Sequence, residues 1–252
     1  MTGPSANLVE MKGVKLTLSE KVILEDVNFS LPKEEVLVVM GLSGCGKSTL
    51  LGILMGLLAP DSGTVHFKGD DLTKMTRSDL NVARTHIGMV FQNGALISSL
   101  TVAENVALPL EELTQKSAEE IKGIVAQKLK LVDLEDAADK LPSELSGGMQ
   151  KRAGLARALA LDPELVLFDE PSAGLDPINS KLIDELILKL RDEEKVTSIV
   201  VTHEMGSAFT LATRMAFLHE GKILLHGSPD EFRKSKESVI SDFLSSFKVT
   251  ES

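Results

Sequence analysis

Gly41 to Thr49, GLSGCGKST, is the stretch whose residue types and spacing most directly specify a chemistry. It fits the phosphate-loop pattern G-x-x-x-x-G-K-[ST] without a mismatch. Gly41, Gly44 and Gly46 let the backbone curl so that successive amide NH groups face phosphate oxygens, with Ser43, Cys45 and Thr49 in the same cradle. Lys47 brings a charge that reaches β- and γ-phosphates, and the Ser48 hydroxyl can hold Mg2+. The helix beginning there offers its positive end. The loop is suited to a nucleoside triphosphate, ATP or GTP.

Three further groups could act on such a ligand. Asp169 and Glu170 end the apolar run LVLF. A carboxylate there can anchor Mg2+, and its neighbour Glu170 can accept a proton from an attacking water. Taken alone, the pair could equally cap the next segment. Ser146 with Gly147 and Gly148 opens a helix containing Arg152, Leu155 and Arg157, which makes an anion site or an ordinary N-cap. His203 closes the strand-like run VVT at 200–202, where it can contact a γ-phosphate or serve as a core histidine. His219 and His226 have no such setting and read as structural.

These groups need elements to hold them in place. Val36 to Met40 reads as a buried strand feeding the phosphate loop, and Leu50 to Leu58 as a buried helix leaving it. Between Leu8 and Leu31 short alternating runs predict antiparallel strands, and Val65 to Phe67 predicts another. His86 to Phe91 is a strand ending at Gln92, after which the pattern turns helical to about Leu161, with Ala118 to Leu131 as one amphipathic helix. Leu165 to Phe168, Ser198 to Val201 and Met215 to Leu218 are further strands. The first two are bridged by a helix over Pro177 to Arg191, with Leu182, Leu186 and Leu190 on one face. That is a βαβ unit, so the core sheet is expected to be mostly parallel. Glu220 and Gly221 turn into Lys222 to Leu225, and after Pro229 a tail places Val239, Ile240, Phe243, Leu244 and Phe247 on one helix face. The expected organisation is one α/β domain of strand-rich core at 6–91 and 162–228, a helical insertion at 92–161 and an amphipathic tail at 229–252.

A chain of 252 residues with a hydrophobic share of 43% can bury a large core. Its net charge of −10 argues against nucleic acid as the main partner. Cys45 is the only cysteine, which excludes a disulfide framework and fits a reducing cytosol. No apolar run approaches the ~20 residues of a membrane span, and the start MTGPSANLVE lacks a basic region followed by an apolar stretch.

With those residues in order, the chain resembles the ATPase subunit of an ATP-binding cassette transporter over nearly its whole length. In that resemblance GLSGCGKST is Walker A, Gln92 the Q-loop, LSGGM at 145–149 the signature, LVLFDE at 165–170 Walker B, AGLD ending at Asp176 the D-loop, and His203 the switch histidine. It implies a P-loop NTPase fold, RecA-like, with an N-terminal antiparallel β subdomain and an inserted helical signature subdomain. It implies ATP and Mg2+ as cofactors, the metal held by Ser48, Gln92 and Asp169, and catalysis by Glu170, His203 and Gln92. It also implies a head-to-tail homodimer in which Ser146, Gly147, Gly148 and Asp176 of one subunit close over ATP bound to Lys47 of the other. Met149 stands where many members have glutamine, and Leu18 where the family stacks an aromatic ring on adenine. FQNGALISSLTVAENVALPL at 91–110, with LSGGMQKRAGLARALALDPELVLFDEP, is similar to the Mla or MCE-associated ATPases, which energise phospholipid movement between bacterial membranes. That narrower resemblance implies permease partners at the cytoplasmic face of an inner membrane, together with an MCE-domain lipid-binding protein and a small STAS-type subunit. An importer of another small solute is the nearest rival. A soluble cassette ATPase of repair or translation and a phosphate-loop kinase are rivals from other classes, the last leaving LSGGM and His203 without a role.

Overall fold

The computed structural model describes residues 7–248, with 246–248 described by their backbone alone. The chain runs through β1 (Asn7–Leu18), β2 (Lys21–Pro32), β3 (Val36–Met40), α1 (Lys47–Leu54), β4 (Ser62–Phe67), β5 (Asp70–Asp71) and α2 (Arg77–Thr85). Next come β6 (Ile87–Val90), α3 (Val102–Leu113), α4 (Ala118–Leu131), α5 (Gly147–Ala158), β7 (Leu165–Asp169) and α6 (Pro177–Asp192). It closes with β8 (Thr197–Val201), α7 (Met205–Leu211), β9 (Arg214–His219), β10 (Lys222–Gly227), α8 (Pro229–Arg233) and α9 (Ser238–Lys248). Two compact units result, one from the described residues through Met75 together with those from Ile199 onward, the other from Thr76 to Ser198.

In the first unit the alternating N-terminal runs pair as antiparallel strands in the order β2-β1-β4-β5. Alternation buries one face, through Val14, Leu16, Leu24, Val27, Phe29 and Leu31. A second sheet in this unit takes the order β10-β9-β3-β8, with β3 parallel to β9 and β10 antiparallel to it. All five residues of β3 are buried, as a strand covered on both faces requires. Glu220 and Gly221 turn the β9–β10 hairpin with φ of 46 and 79, the left-handed pair a tight hairpin needs.

The helix after the phosphate loop is shorter than its apolar run predicts. It ends at Leu54, because Gly56 adopts φ 63 and the N–H groups of Leu57 and Leu58 both return to the Gly52 carbonyl, at 2.9 and 3.2 Å. Leu57 is left 61% exposed. The tail helix α9 packs Ile240 and Phe243 inward, and the place of the Phe247 side chain lies outside the described residues. Phe217 on β9 receives Phe243 at 5.1 Å and Phe232 of α8 at 5.9 Å, ring centroid to centroid, both edge-on. Phe217→Ala empties the centre of this cluster and should cost about 3–5 kcal/mol, read from urea unfolding.

In the second unit β6 runs parallel to β7, and the Thr197 N–H donates to the Glu164 carbonyl at 3.1 Å, so that β8 starts beside β7. The crossover helix α6 buries Ile183, Leu186, Ile187 and Leu190. Leu182, expected on that stripe, lies at its exposed edge, since a 3.6-residue period carries i+3 and i+4 inward together. Helices α3, α4 and α5 pack through Val102, Val106, Leu110, Ile121, Val125, Leu129 and Leu155. Capping boxes start α3 at Thr101–Glu104 and α4 at Ser117–Glu120. Helices α2 and α8, not foreseen above, carry the same device at Thr76–Asp79 and Ser228–Glu231.

Candidate nucleotide site

The first unit holds the phosphate loop. Strand β3 delivers Gly41 beside Leu218, in register with the pairing of Met40 and Phe217. A Cβ on Gly41 would stand 2.2 Å from the Leu218 carbonyl oxygen, so no larger residue fits. Gly46 takes φ 107 at the start of α1, a conformation side chains disfavour, and a Cβ there would meet Leu24 at 2.9 Å. With Gly46 as its N-cap, α1 receives no capping side chain and has no acidic residue in its first turn. Its positive end thus faces the loop with no carboxylate from its own first turn. Lys47 is 7% exposed and donates from Nζ to the carbonyls of Gly41 at 2.8 Å and Leu42 at 3.2 Å. Its ammonium is already held over the loop interior, where phosphate oxygens can replace those carbonyls. On the neighbouring strand the Thr202 N–H donates to the Val39 carbonyl at 3.2 Å, so exposed His203 leaves the sheet at the same end as the loop.

The β1–β2 hairpin approaches this loop through Ile23 and Leu24, which line Gly46. Leu18 and Val22 at its tip are both exposed. The apolar surface there is aliphatic.

The second unit holds the acidic pair and the signature segment. Asp169 ends β7, and Glu170 follows with φ 48. A left-handed glutamate costs of order 1–3 kcal/mol and persists only where its surroundings enforce it. The enforcing turn has the Ala173 N–H donating to the Glu170 carbonyl at 3.2 Å and the Leu175 N–H donating to Ser172 at 3.1 Å. Asp176 then caps α6, accepting from the N–H groups of Ile178 and Asn179, each at 3.0 Å. The Asn179 amide, then the Asn179 and Ile178 N–H groups, hold the Asp176 carboxyl below the usual carboxylate range. Ser146 caps α5, its Oγ accepting from the Met149 N–H at 3.3 Å. A Cβ on Gly148 would meet Asn179 Oδ1 at 2.6 Å, and Asn179 Nδ2 donates to Asp176 Oδ2 at 2.5 Å. Asn179 thus joins the signature segment to Asp176.

Gln92 is exposed one residue beyond Phe91, at the head of a segment fastened to α5. Gly94 lies against the Gln150 carbonyl, and Gly154 against Gly94, at distances no side chain would allow. Arg157 donates to the Ala95 carbonyl at 2.8 Å and the Gly94 carbonyl at 3.0 Å. Further along, fully buried Asn105 accepts from the Ile97 N–H and donates to the carbonyls of Ile97, Leu100 and Thr101. A cleft of about 460 Å³ opens beside this segment, lined by Arg84, Phe91, Leu108, Pro109, Leu113 and Arg157 among others. Sequence reasoning gives no role to Lys151 or Asn105, and places Arg157 only as a residue of the helix that Ser146 opens. The readable signal was a polar residue at a buried helical position, as with Lys151 between Gly148 and Leu155 on one face of α5. Among the described residues, no group of three or more His, Cys, Asp or Glu could hold a metal, and no helix is long and apolar enough to cross a membrane.

Comparison with known proteins identifies the family. The family described as "ABC transporter" matches residues 24–173. The chain is 40% identical over 239 residues to the intermembrane phospholipid transport system ATP-binding protein MlaF of Escherichia coli (strain K12), covering 95% of this chain and 89% of that one. It is 39% identical over 246 residues to the probable ribonucleotide transport ATP-binding protein mkl of Mycobacterium leprae, covering 98% and 71%. Among solved structures, the dimeric post-hydrolysis state of the ATP-binding cassette MJ0796 bound to ADP and Pi superposes with a TM-score of 0.81 at 35% identity, over 87% of this chain and 98% of that one. The cbiO1 protein of Clostridium perfringens, part of the ABC transporter complex cbiONQ, gives 0.85 at 28% identity, over 95% and 96%.

Proposed function

The chain belongs to the ABC transporter family of ATP hydrolases, and we propose that it powers movement of a phospholipid or another hydrophobic molecule through a separate permease at the cytoplasmic face of a bacterial inner membrane. The observation that carries this is a complete phosphate loop, with Lys47 held over its interior, in a chain 40% identical to MlaF along nearly its whole length. Its partners are a second copy of itself, permease subunits, an MCE-domain lipid-binding protein and a small STAS-type subunit.

Roles divide by chemistry. Lys47 exchanges the Gly41 and Leu42 carbonyls for β- and γ-phosphate oxygens, and the Gly41–Thr49 amides enclose the chain of phosphates. Ser48, Gln92 and Asp169 offer only oxygen donors, a set that suits Mg2+, which takes one or two carboxylates and completes its shell with substrate phosphates and water. When bound, the metal neutralises charge developing on the transferred phosphoryl group. Glu170 accepts the proton of the attacking water, and His203 holds the γ-phosphate. Ser146, Gly147, Gly148 and Asp176 serve the nucleotide of the opposite subunit, so each loop is half of a site. The helical residues 92–161 form the subdomain that carries the signature.

The cleft beside Gln92 receives a helix of the permease, which links nucleotide state to transport. Leu113 there is 59% exposed and apolar. Leu113→Glu should lower recovery of the subunit with membranes at least ~10-fold while leaving nucleotide affinity within about twofold, because it places a charge against an apolar partner surface. Co-sedimentation with membranes measures the first and equilibrium titration the second.

A second reading, transport of another small solute, is favoured by the 39% identity to a protein named for ribonucleotide transport. Mass spectrometry of the intact complex purified from membranes through this subunit separates the two, since it weighs the permease and any bound lipid together. A bound phospholipid with an MCE-type subunit is the expected result. A permease carrying a polar solute selects the second reading, and recovery of this chain with no membrane protein would select a soluble ATPase instead.

A further inference from the structure

Lys151 occupies a position where packing alone has no use for a charge. It lies on the inward face of α5 with Gly148 and Leu155, and is 6% exposed. An apolar side chain of the same length would fill that space without desolvating an ammonium. What the ammonium adds is a charge-assisted hydrogen bond, from Nζ to the Ala173 carbonyl at 2.6 Å. Ala173 in turn donates its own N–H to the Glu170 carbonyl at 3.2 Å. Two successive hydrogen bonds therefore run from the helix that begins with the signature residues to the backbone of Glu170. That backbone sits at φ 48, where a glutamate stays only if something holds it.

The same helix is also linked to Asp176 indirectly. Gly148, one turn before Lys151, lies against Asn179, which bonds Asp176. Helix α5 thus meets the 170–176 segment at Ala173 through the ammonium, and reaches Asp176 through Asn179.

We propose that Lys151 is a positioning residue for ATP hydrolysis, fixing the 170–173 turn to the signature helix so that Glu170 stays aimed at the attacking water. The inference rests on the reading of Glu170 as the proton acceptor. It gives α5 a second task, since a second copy's nucleotide that pulls on Ser146 and Gly148 moves the base with them.

The test is a double-mutant cycle in the complex purified from membranes, with Lys151→Met, Lys151→Arg, Glu170→Gln and Lys151→Met combined with Glu170→Gln. Lys151→Met should lower kcat at least ~10-fold with KM for ATP and nucleotide affinity within about twofold, the pattern of a lost transition-state interaction. Lys151→Arg keeps a donor and a charge, and should recover kcat to within about threefold of the parent. With Glu170→Gln already present, Lys151→Met should change the residual rate by less than about twofold, because it acts through a group no longer working. Thermal unfolding of each variant separates folding from rate, and Lys151→Gln carries the same comparison if the methionine variant does not fold. A parental kcat in Lys151→Met would overturn the proposal, as would an equal further loss on top of Glu170→Gln or an arginine variant no better than methionine. Failure of the underlying reading shows separately, as a Glu170→Gln complex that turns over at the parental rate.

Discussion

Glu170→Gln is expected to bind ATP as the parent does and to lose turnover by about 10²–10⁴-fold, the range by which a positioned base accelerates proton transfer. Glutamine preserves the size of the side chain, and the turn that holds residue 170 is made by backbone groups of Glu170 and Ala173, which the substitution leaves in place. The loss should therefore fall on kcat while KM stays near the parental value. Single-turnover hydrolysis beside equilibrium nucleotide binding separates the two. Normal turnover would remove Glu170 from the role of base and transfer the search to other groups near the end of β7.

Lys47→Ala acts earlier, on binding itself. Loss of a charge-assisted contact to phosphate costs about 1.5–3 kcal/mol, which is roughly 10–100-fold in affinity. The same change withdraws the donor that now satisfies the Gly41 and Leu42 carbonyls, so the loop loses an internal brace along with its cation. Lys47→Arg keeps the charge but carries a planar fork in place of a compact ammonium, and in a site with 7% exposure it should recover only part of the affinity. Titration with a fluorescent ATP analogue measures both. Affinity unchanged in Lys47→Ala would contradict the reading of Gly41–Thr49 as the phosphate cradle.

The parts of the fold that were legible in sequence are those where one physical signal acts alone. Strand β3 reads as buried because every residue from Val36 to Met40 is apolar, and the amphipathic period of α4 gives its bounds, Ala118 to Leu131. The α1 helix was overextended because Gly56 interrupts a continuous apolar run, and apolar content does not report backbone handedness. Helices α2 and α8 are short, α2 with no buried residue and α8 with Phe232 alone, so neither shows an apolar period, yet Thr76–Asp79 and Ser228–Glu231 carry the capping pattern that announces them. At the site, Gly41–Thr49 follows a local motif and can be read from it. The buried polar groups outside that motif cannot. Lys151, Asn105 and Arg157 act on backbone carbonyls that lie 22, up to 8 and 62 or 63 positions away, or within one loop that has no motif of its own. Leu18 shows the opposite limit, since its departure from the family's aromatic residue is visible in sequence, and the structure adds that Val22 shares the exposed hairpin tip.

ATP hydrolysis and lipid movement meet in one assay. The complex purified through this subunit is reconstituted into phospholipid vesicles, and transfer of a labelled phospholipid between vesicle and acceptor is followed with ATP and Mg2+ added. The account predicts transfer that requires ATP and stops with Glu170→Gln. Hydrolysis that proceeds at full rate with no lipid movement, in a complex shown to be intact, would contradict it.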